Sequence, residues 1–218
     1  MILHDFSNKN SILNQFIAEL RDVNIQQDAM RFRRNIECIG EVLGYELSKN
    51  LSYDDKRTIT TPLGKKTVKL SNERLVLCSV LRAGLPLHQG LMKYFDKAEN
   101  AFVSAYRHHR NNQDTFKVIV KYLASPSLTD KTLILIDPML ATGKTLENVL
   151  KAFKNHGEPK QIHIVSVIGS KSGVSYVNNI FPKDTHLWIA TIDSTLSSKG
   201  YIIPGLGDAG DLSFGIKL

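Results

Sequence analysis

The second half of the chain alternates short, continuous apolar runs with segments of helical periodicity. Helices are predicted at about 86–95, 144–156 and 171–180. The apolar runs occupy residues 75–81, 101–106, 117–123, 133–136, 162–168 and 187–192. Strands that are apolar on both faces are typical of a parallel sheet covered by helices on both sides. The sequence therefore predicts an α/β fold with a central, mainly parallel sheet.

The first 70 residues have a different pattern. Apolar side chains recur at helical spacing from Ile12 to Leu20 and again from about Asp28 to Lys49. Within residues 57–70, β-branched runs flank a Pro-Leu-Gly turn, which predicts a hairpin. Because no linker or internal repeat separates these parts from the rest, we expect a single domain over residues 1–218, with helices and a hairpin arm in 1–70.

Charge and cysteine content limit the classes of function. Lysine and arginine number 28 against 21 aspartates and glutamates, a net charge of +7 that favours anionic partners. The basic residues cluster only locally and form no nucleic-acid motif, and we interpret the cluster at 31–34 as a solvated helix face. Cys38 and Cys78 lie in apolar patterns and are expected to be buried free thiols, as in a cytoplasmic protein. No apolar run approaches the roughly 18–20 residues that span a bilayer.

Residues 133–145, LILIDPMLATGKT, place a turn of small residues between a predicted strand and a predicted helix. Backbone N–H groups at a helix N-terminus bind anions, and a glycine at 143 allows close approach. A nucleoside triphosphate loop would need glycine at the position of Pro138, and Asp137 would repel a triphosphate. An acid that accepts hydrogen bonds from ribose hydroxyls, followed by a phosphate-holding turn, indicates a phosphorylated sugar instead. A helix capped by Thr142 without any ligand would explain that threonine but not the rest of the turn.

Three stretches of the sequence resemble the type I phosphoribosyltransferases. DPMLATG, which starts at Asp137, resembles the phosphoribosyl pyrophosphate (PRPP) loop of the uracil phosphoribosyltransferases. VLRAGLP, at 80–86, resembles their pyrophosphate-contacting loop, and YIIPGLGDAGDLSFG, at 201–215, resembles their uracil-binding segment. The resemblance covers nearly the whole chain and implies the type I phosphoribosyltransferase fold, with N-terminal helices, a β-hairpin arm and a C-terminal base-binding hood. It makes 71–200 a PRPP-binding core and 201–218 a uracil-binding segment.

The resemblance also implies a reaction and roles for individual residues. Uracil and PRPP would give uridine monophosphate (UMP) and pyrophosphate, a step of pyrimidine salvage. Asp137, Arg82 and Asp208 would be the catalytic residues, with Asp137 orienting the ribose. Uracil would bind at Ile202, Gly207, Asp208 and Ala209. The residues expected to bind PRPP are Arg82, Arg107, Asp137, Pro138, Met139, Leu140, Ala141, Thr142, Gly143, Lys144, Thr145 and Asp208.

The implied cofactor is Mg²⁺ that arrives with PRPP, and the sequence shows no metal-ligand cluster of its own. The expected partners are uracil and PRPP as small-molecule substrates, without nucleic acid or membrane. GTP activates some members of the family, so GTP stays open as an activator. A cytoplasmic homodimer or higher homo-oligomer is implied.

Three departures from the family's usual pattern keep alternatives open. Lys144-Thr145 stand where Gly-Ser usually follows the loop, and His108-His109 stand where Asp-Glu usually follows Arg107. Leu212-Ser213 follow Asp211, where a basic or polar residue is more usual. The alternatives are a phosphoribosyltransferase with altered base preference, for purines, and a catalytically weak regulator that senses PRPP or nucleotides.

Overall fold

The computed structural model describes residues 1–109 and 116–217, and for residues 105–109 and 116–119 it describes the backbone alone. The strands in this part of the chain are β1 (Ile2–Asp5), β2 (Asp55–Thr61), β3 (Gly64–Leu70), β4 (Leu75–Leu81), β5 (Glu99–His109), β6 (Phe116–Ala124), β7 (Thr132–Ile136), β8 (Met139–Leu140), β9 (Gln161–Ser170), β10 (His186–Asp193), β11 (Thr195–Leu196) and β12 (Ile202–Ile203). The helices are α1 (Leu13–Arg21), α2 (Ala29–Ser48), α3 (Gly84–Met92), α4 (Lys144–Ala152), α5 (Lys171–Ile180) and α6 (Ala209–Phe214). A 3₁₀ turn over Phe153–Asn155 extends α4.

The central sheet has the strand order β1-β10-β9-β7-β4-β5-β6, and β8 pairs with β9. All of these pairs are parallel except β5 with β6, whose connection is too short for a parallel crossover. The predicted mainly parallel α/β sheet is therefore confirmed. The edge strand β1 was not predicted, because four residues near the chain start carry little periodic signal.

Alternate residues of each central strand face two separate cores. In β7, Ile134 and Ile136 pack with the side of the sheet that α1, α2 and α3 cover. Leu133 and Leu135 pack on the other side, with apolar residues of α4 and α5. Burial on both faces explains why these strands are continuously apolar in the sequence.

The N-terminal helices and the hairpin form as predicted. Asp28 caps α2, because its side chain accepts hydrogen bonds from the N–H groups of Met30 and Arg31. The hairpin of β2 and β3 is antiparallel from Asp55 opposite Leu70 to its turn, and most of its side chains are exposed.

The two cysteines differ in burial. Cys78 is fully buried in β4, and burial raises the pKa of its thiol to about 12. Cys38 is only half-buried on α2, which corrects the expectation that both thiols are buried. Both are free thiols. In the described part of the chain, no helix combines the length and the apolar character needed to cross a membrane.

Candidate active site

The turn after β7 runs from Asp137 to Gly143, the residue before α4. Gly143 has a φ of +76°, and a Cβ at this position would lie 2.8 Å from the ring of Tyr176. Both the left-handed backbone and the lack of space require glycine here. Lys144, which opens α4, is exposed, and its N–H donates to the Thr142 hydroxyl over 3.4 Å. Thr142 therefore makes only a long capping contact, and Gly143 itself is the cap residue.

The middle of this turn rests on the end of β9 and the start of α5. The Ser170 hydroxyl donates to the carbonyl of Ala141 over 2.6 Å. Gly173 passes so close to the same carbonyl that a Cβ on it would lie 2.2 Å from the oxygen. At the start of the turn, the Ser166 hydroxyl donates to the carbonyl of Asp137 over 2.6 Å. The backbone of the turn is therefore fixed from beneath at two points.

A small cleft, partly open to solvent, lies at this turn. Of the loop residues predicted to bind PRPP, only Pro138 and Lys144 do not line it. The Pro138 carbonyl instead accepts hydrogen bonds from two N–H groups of β9. The lining consists of Asp137, Met139, Leu140, Ala141, Thr142, Gly143, Thr145 and Leu146. The half-buried Asp137 carboxylate also accepts a 3.3 Å hydrogen bond from the N–H of Met139, which holds the acid at the cleft.

Arg82 lies in the turn between β4 and α3, after a cis peptide bond with Leu81. Its Nη2 donates to Asp211 Oδ1 over 2.8 Å, and its Nη1 donates to the carbonyl of Gly215 over 3.1 Å. Gly84, two residues later, would place a Cβ 3.0 Å from the carbonyl oxygen of Ile136, the last residue of β7. The Arg82 turn therefore lies against the start of the Asp137 turn on one side and contacts the C-terminal segment on the other.

The C-terminal segment leaves β12 through the cis Ile203–Pro204 bond and a tight turn. Of the residues predicted to contact uracil, Ile202 and Ala209 are buried, whereas Gly207 is exposed and has a φ of +86°. Asp208 caps α6, and its Oδ1 accepts from the N–H groups of Gly210 and Asp211. This short helix is absent from the sequence-based prediction, since glycines and aspartates dominate the segment.

Asp208 is held as a carboxylate by its neighbours. Its other oxygen, Oδ2, accepts a 2.9 Å hydrogen bond from Lys217 Nζ, which also approaches Asp211 Oδ1 at 3.4 Å. Burial by itself would raise the pKa of Asp208, but the hydrogen bonds from Lys217 and from the backbone outweigh it and lower that pKa overall. Lys217 was not singled out in the sequence, because nothing local links it to Asp208.

Arg107 lies in β5, and its side chain is outside the described part of the structure, as are those of His108 and His109. Their predicted roles at the site stay predictions.

Two further residues, Arg21 and Asp193, contact the C-terminal segment and were missed in the sequence. They form an ion pair that also binds the backbone of Gly205. Burial would raise the pKa of Asp193, but the hydrogen bonds from Arg21 and from the Gly205 N–H outweigh it, so the pKa is lowered. Asp193 comes directly after the apolar run 187–192, as Asp137 comes after 133–136, so the same signal could have found it. Arg33 donates to the carbonyl of Ser213, so the basic cluster on α2 is not merely solvated.

The histidines of the sheet lie at the opposite end of the strands. His163 near the start of β9 is buried and accepts a hydrogen bond from the Trp188 indole, while His4 and His186 stack beside them. Burial, and then the nearby His186 and His4, lower the pKa of His163 to about 3. Among the side chains that the structure describes, no group of three or more from His, Cys, Asp or Glu is arranged to hold a metal ion.

Comparisons with known proteins cover almost the whole chain. A family model described as uracil phosphoribosyltransferase matches residues 7–216. A curated uracil phosphoribosyltransferase from Porphyromonas gingivalis is 51% identical over 210 residues, which cover 96% of each chain. One from Thermococcus gammatolerans is 39% identical over 207 residues, 94% of this chain and 89% of that one. A solved structure of a protein from Aquifex aeolicus superposes with a TM-score of 0.86 and 29% identity, covering 100% of both chains.

Proposed function

Because this chain belongs to the uracil phosphoribosyltransferase family, we propose that it transfers the phosphoribosyl group of PRPP to uracil, giving UMP and pyrophosphate in pyrimidine salvage. The observation that carries the proposal is the meeting of three segments at the carboxyl edge of the sheet. These are the Asp137 turn after β7, the Arg82 turn after β4, and the C-terminal segment that Arg82 contacts. The carboxyl edge of a parallel sheet is where open α/β folds bind their ligands.

The turn from Asp137 to Thr145 is the proposed site for ribose 5-phosphate. The residues that line the cleft there include Thr142 and Thr145, and they extend to the N-terminus of α4. Hydroxyl donors and a helix N-terminus favour a phosphate group. Asp137, which lines the same cleft, supplies a carboxylate that accepts hydrogen bonds from the ribose hydroxyls. Lys144 is exposed beside the turn and does not line the cleft.

The segment from Ile202 to Ala209 is the proposed uracil site. Uracil presents carbonyl acceptors and N–H donors around a flat ring, and backbone groups can match such an edge. The left-handed conformation of Gly207 turns its peptide groups away from the regular strand direction, and the residue is exposed, so these groups can reach a ligand. Asp208 then connects this backbone to the PRPP side, since its helix lies against Arg82.

The chemistry is displacement of pyrophosphate at C1 of the ribose by N1 of uracil. The bond from C1 to the leaving oxygen breaks with its electron pair going to pyrophosphate, the bond from N1 to C1 forms, and the N1 proton passes to solvent. Arg82 is the proposed group for the diphosphate, because its planar guanidinium makes paired, charge-assisted hydrogen bonds with phosphate oxygens. It now donates to Asp211 and to the Gly215 carbonyl, and it can exchange these acceptors for the diphosphate. The remaining contribution is to hold both substrates in line for the displacement.

Bound with PRPP, Mg²⁺ would neutralise part of the charge of the diphosphate. The carboxylates of Asp137 and Asp208 are both half-buried and near the proposed substrate sites. Carboxylate oxygens are ligands that Mg²⁺ accepts alongside phosphate and water oxygens, so Asp137, which lines the cleft, fits the ion. Both oxygens of Asp208 already accept hydrogen bonds, Oδ2 from the Lys217 ammonium, so Asp208 does not fit it in this arrangement.

Assembly, regulation and location complete the proposal. A homodimer or higher homo-oligomer and a cytoplasmic location are proposed from family membership. The two free thiols agree with a reducing compartment. GTP is proposed as an activator on the same ground.

The direct test is an assay with isotope-labelled uracil, PRPP and Mg²⁺, followed by separation of the nucleotides. Labelled UMP is expected, with far lower turnover of hypoxanthine and guanine at the same concentration. Turnover of a purine base without UMP formation would show an altered base preference. Binding of PRPP without turnover of any base would favour the sensing regulator.

A further inference from the structure

Arg21 and Asp193 form a two-point ion pair between the end of α1 and the end of β10. Arg21 Nη2 donates to Asp193 Oδ1 over 2.7 Å, and Nη1 donates to Oδ2 over 2.8 Å. The Asp193 side chain is only 8% exposed and that of Arg21 is 25% exposed. Parallel bonds of this kind fix the relative orientation of the two groups as well as their distance.

The same pair binds both polar backbone groups of Gly205. The Gly205 N–H donates to Asp193 Oδ2 over 2.8 Å, and Arg21 Nη1 donates to the Gly205 carbonyl over 2.9 Å. Gly205 has a φ of +65°, and a Cβ there would lie 2.1 Å from the carbonyl oxygen of Ile202. The tight turn at Gly205 is thus held from two sides by charged hydrogen bonds.

The position of this turn connects it to base recognition. Asp193 and Gly205 close the base of the small hairpin formed by β11 and β12, which contains Ile202. Gly207 and Asp208 follow the turn directly along the chain. A shift at Gly205 would therefore move the backbone on both sides of the proposed uracil site.

We propose that Arg21 and Asp193 are positioning residues for uracil, which act by fixing the Gly205 turn. This inference rests on the proposed function, because it concerns the base that the C-terminal segment reads. The turn from Asp137 to Gly143, the proposed PRPP site, has separate supports, which are the Ser170 hydroxyl and the close approach of Gly173. Loss of the ion pair should therefore weaken uracil binding and leave PRPP binding almost unchanged.

Three variants test this: Arg21→Lys, Arg21→Gln and Asp193→Asn. Lysine keeps a positive charge beside Asp193, but one ammonium cannot reproduce the fork that reaches both carboxylate oxygens and the Gly205 carbonyl. Arg34→Gln is the matched control, because Arg34 also pairs with glutamates but lies exposed on α2. Thermal melting first establishes that each variant is folded.

The readout is the Michaelis constant for each substrate measured separately, with calorimetric titration of UMP as an independent binding measurement. Arg21→Lys is expected to raise the KM for uracil about tenfold and Arg21→Gln further, with the KM for PRPP within about twofold. Asp193→Asn should resemble Arg21→Gln, and Arg34→Gln should match the original chain. UMP should bind more weakly to the Arg21 and Asp193 variants in proportion to the change for uracil.

Two outcomes would overturn the inference while the proposed function stands. One is a folded Arg21→Lys variant with an unchanged KM for uracil. The other is an equal loss for uracil and PRPP, which would mark the pair as a general structural bridge. If Arg21→Gln and Asp193→Asn do not fold, Arg21→Lys decides the matter by the same criteria. Lack of UMP formation by the original chain would instead overturn the proposed function, and the inference with it.

Discussion

Substitution of Gly173 by alanine tests how the turn from Asp137 to Gly143, the proposed PRPP site, is supported. A Cβ on this residue of α5 would lie 2.2 Å from the carbonyl oxygen of Ala141 and 2.7 Å from that of Leu140. Both neighbours are backbone atoms, so no side-chain rotation can relieve the contacts. To restore an ordinary contact, α5 and the Ala141 turn must separate by about 1 Å, because close-packed interiors have no spare room.

The expected effect on stability is modest and the effect on catalysis is larger. Overpacking of this kind costs about 1–3 kcal/mol, and alanine returns about 0.5–1 kcal/mol over glycine within a helix. The net loss of about 1 kcal/mol corresponds to a fall in melting temperature of roughly 2–4 °C for a chain of this size. A displacement of about 1 Å at a substrate-positioning turn reduces rates up to about 100-fold, so kcat/KM for PRPP should fall about 10- to 100-fold.

The assay is steady-state kinetics with PRPP varied, together with thermal melting. Gly44→Ala is the matched control, since Gly44 is also a buried helical glycine but a Cβ there would meet only ordinary contacts at 3.6–3.7 Å. That variant should keep its kinetic constants, and its melting temperature should not fall, because alanine is favoured over glycine within a helix. A Gly173→Ala variant with unchanged kcat/KM for PRPP would refute the claim that the close approach of Gly173 to the Ala141 carbonyl fixes the position of the turn.

Three further predictions concern single side chains. Asp137→Asn should lower kcat/KM for PRPP at least about tenfold, because a charged acceptor for the ribose hydroxyls is lost. The melting temperature should be nearly unchanged, and unchanged kinetics would refute the ribose role of Asp137. Arg82→Gln should lower kcat/KM for PRPP about 10- to 100-fold in the same assay, and an equal kcat/KM would remove Arg82 from the diphosphate site. The third prediction is that the melting temperature falls on acidification. The pKa of His163 is lowered to about 3 in the folded protein, against 6.5 in the unfolded chain. Below pH 6.5 the unfolded chain therefore binds a proton at this histidine that the folded protein does not bind, and the folded protein loses stability as the pH falls. This group should remove about 2 kcal/mol between pH 7 and pH 5, and His163→Asn should flatten the pH dependence; a dependence unchanged in that variant would contradict the assignment.

The helices and strands of this fold were predictable from the sequence wherever their burial requires a periodic or continuous run of apolar residues. The strand at 75–81 and the helix at 171–180 have the same bounds in the structure as in the prediction. The antiparallel last strand, β6, follows from the shortness of its connection to β5 rather than from its apolar pattern. The helix α6 was missed, because its six residues include a glycine and two polar residues and depend on the Asp208 cap.

In the candidate site, too, residues marked by a local sequence pattern were predictable, whereas contacts between residues far apart in the sequence were not. Asp137 was predicted because it follows an apolar strand directly, at the edge where parallel strands end, and Arg82 because VLRAGLP resembles the family's pyrophosphate-contacting loop. Asp193 also follows an apolar run directly, but its pairing with Arg21 could not be found in this way. Arg21 and Asp193 are 172 residues apart, and their contact exists only once α1 and β10 have packed together. Pairs of this kind leave no periodic or motif-like trace in a single sequence.

The central claim is that one ligand connects the Asp137 turn to the C-terminal segment. UMP carries the phosphate, the ribose and the base together, so a crystal structure of the UMP complex tests the claim most directly. We predict the 5-phosphate within the turn from Ala141 to Thr145, the ribose hydroxyls on Asp137, and the uracil edge on the backbone from Gly207 to Ala209. A phosphate bound away from that turn, or a base that makes no contact with the C-terminal segment, would contradict the account.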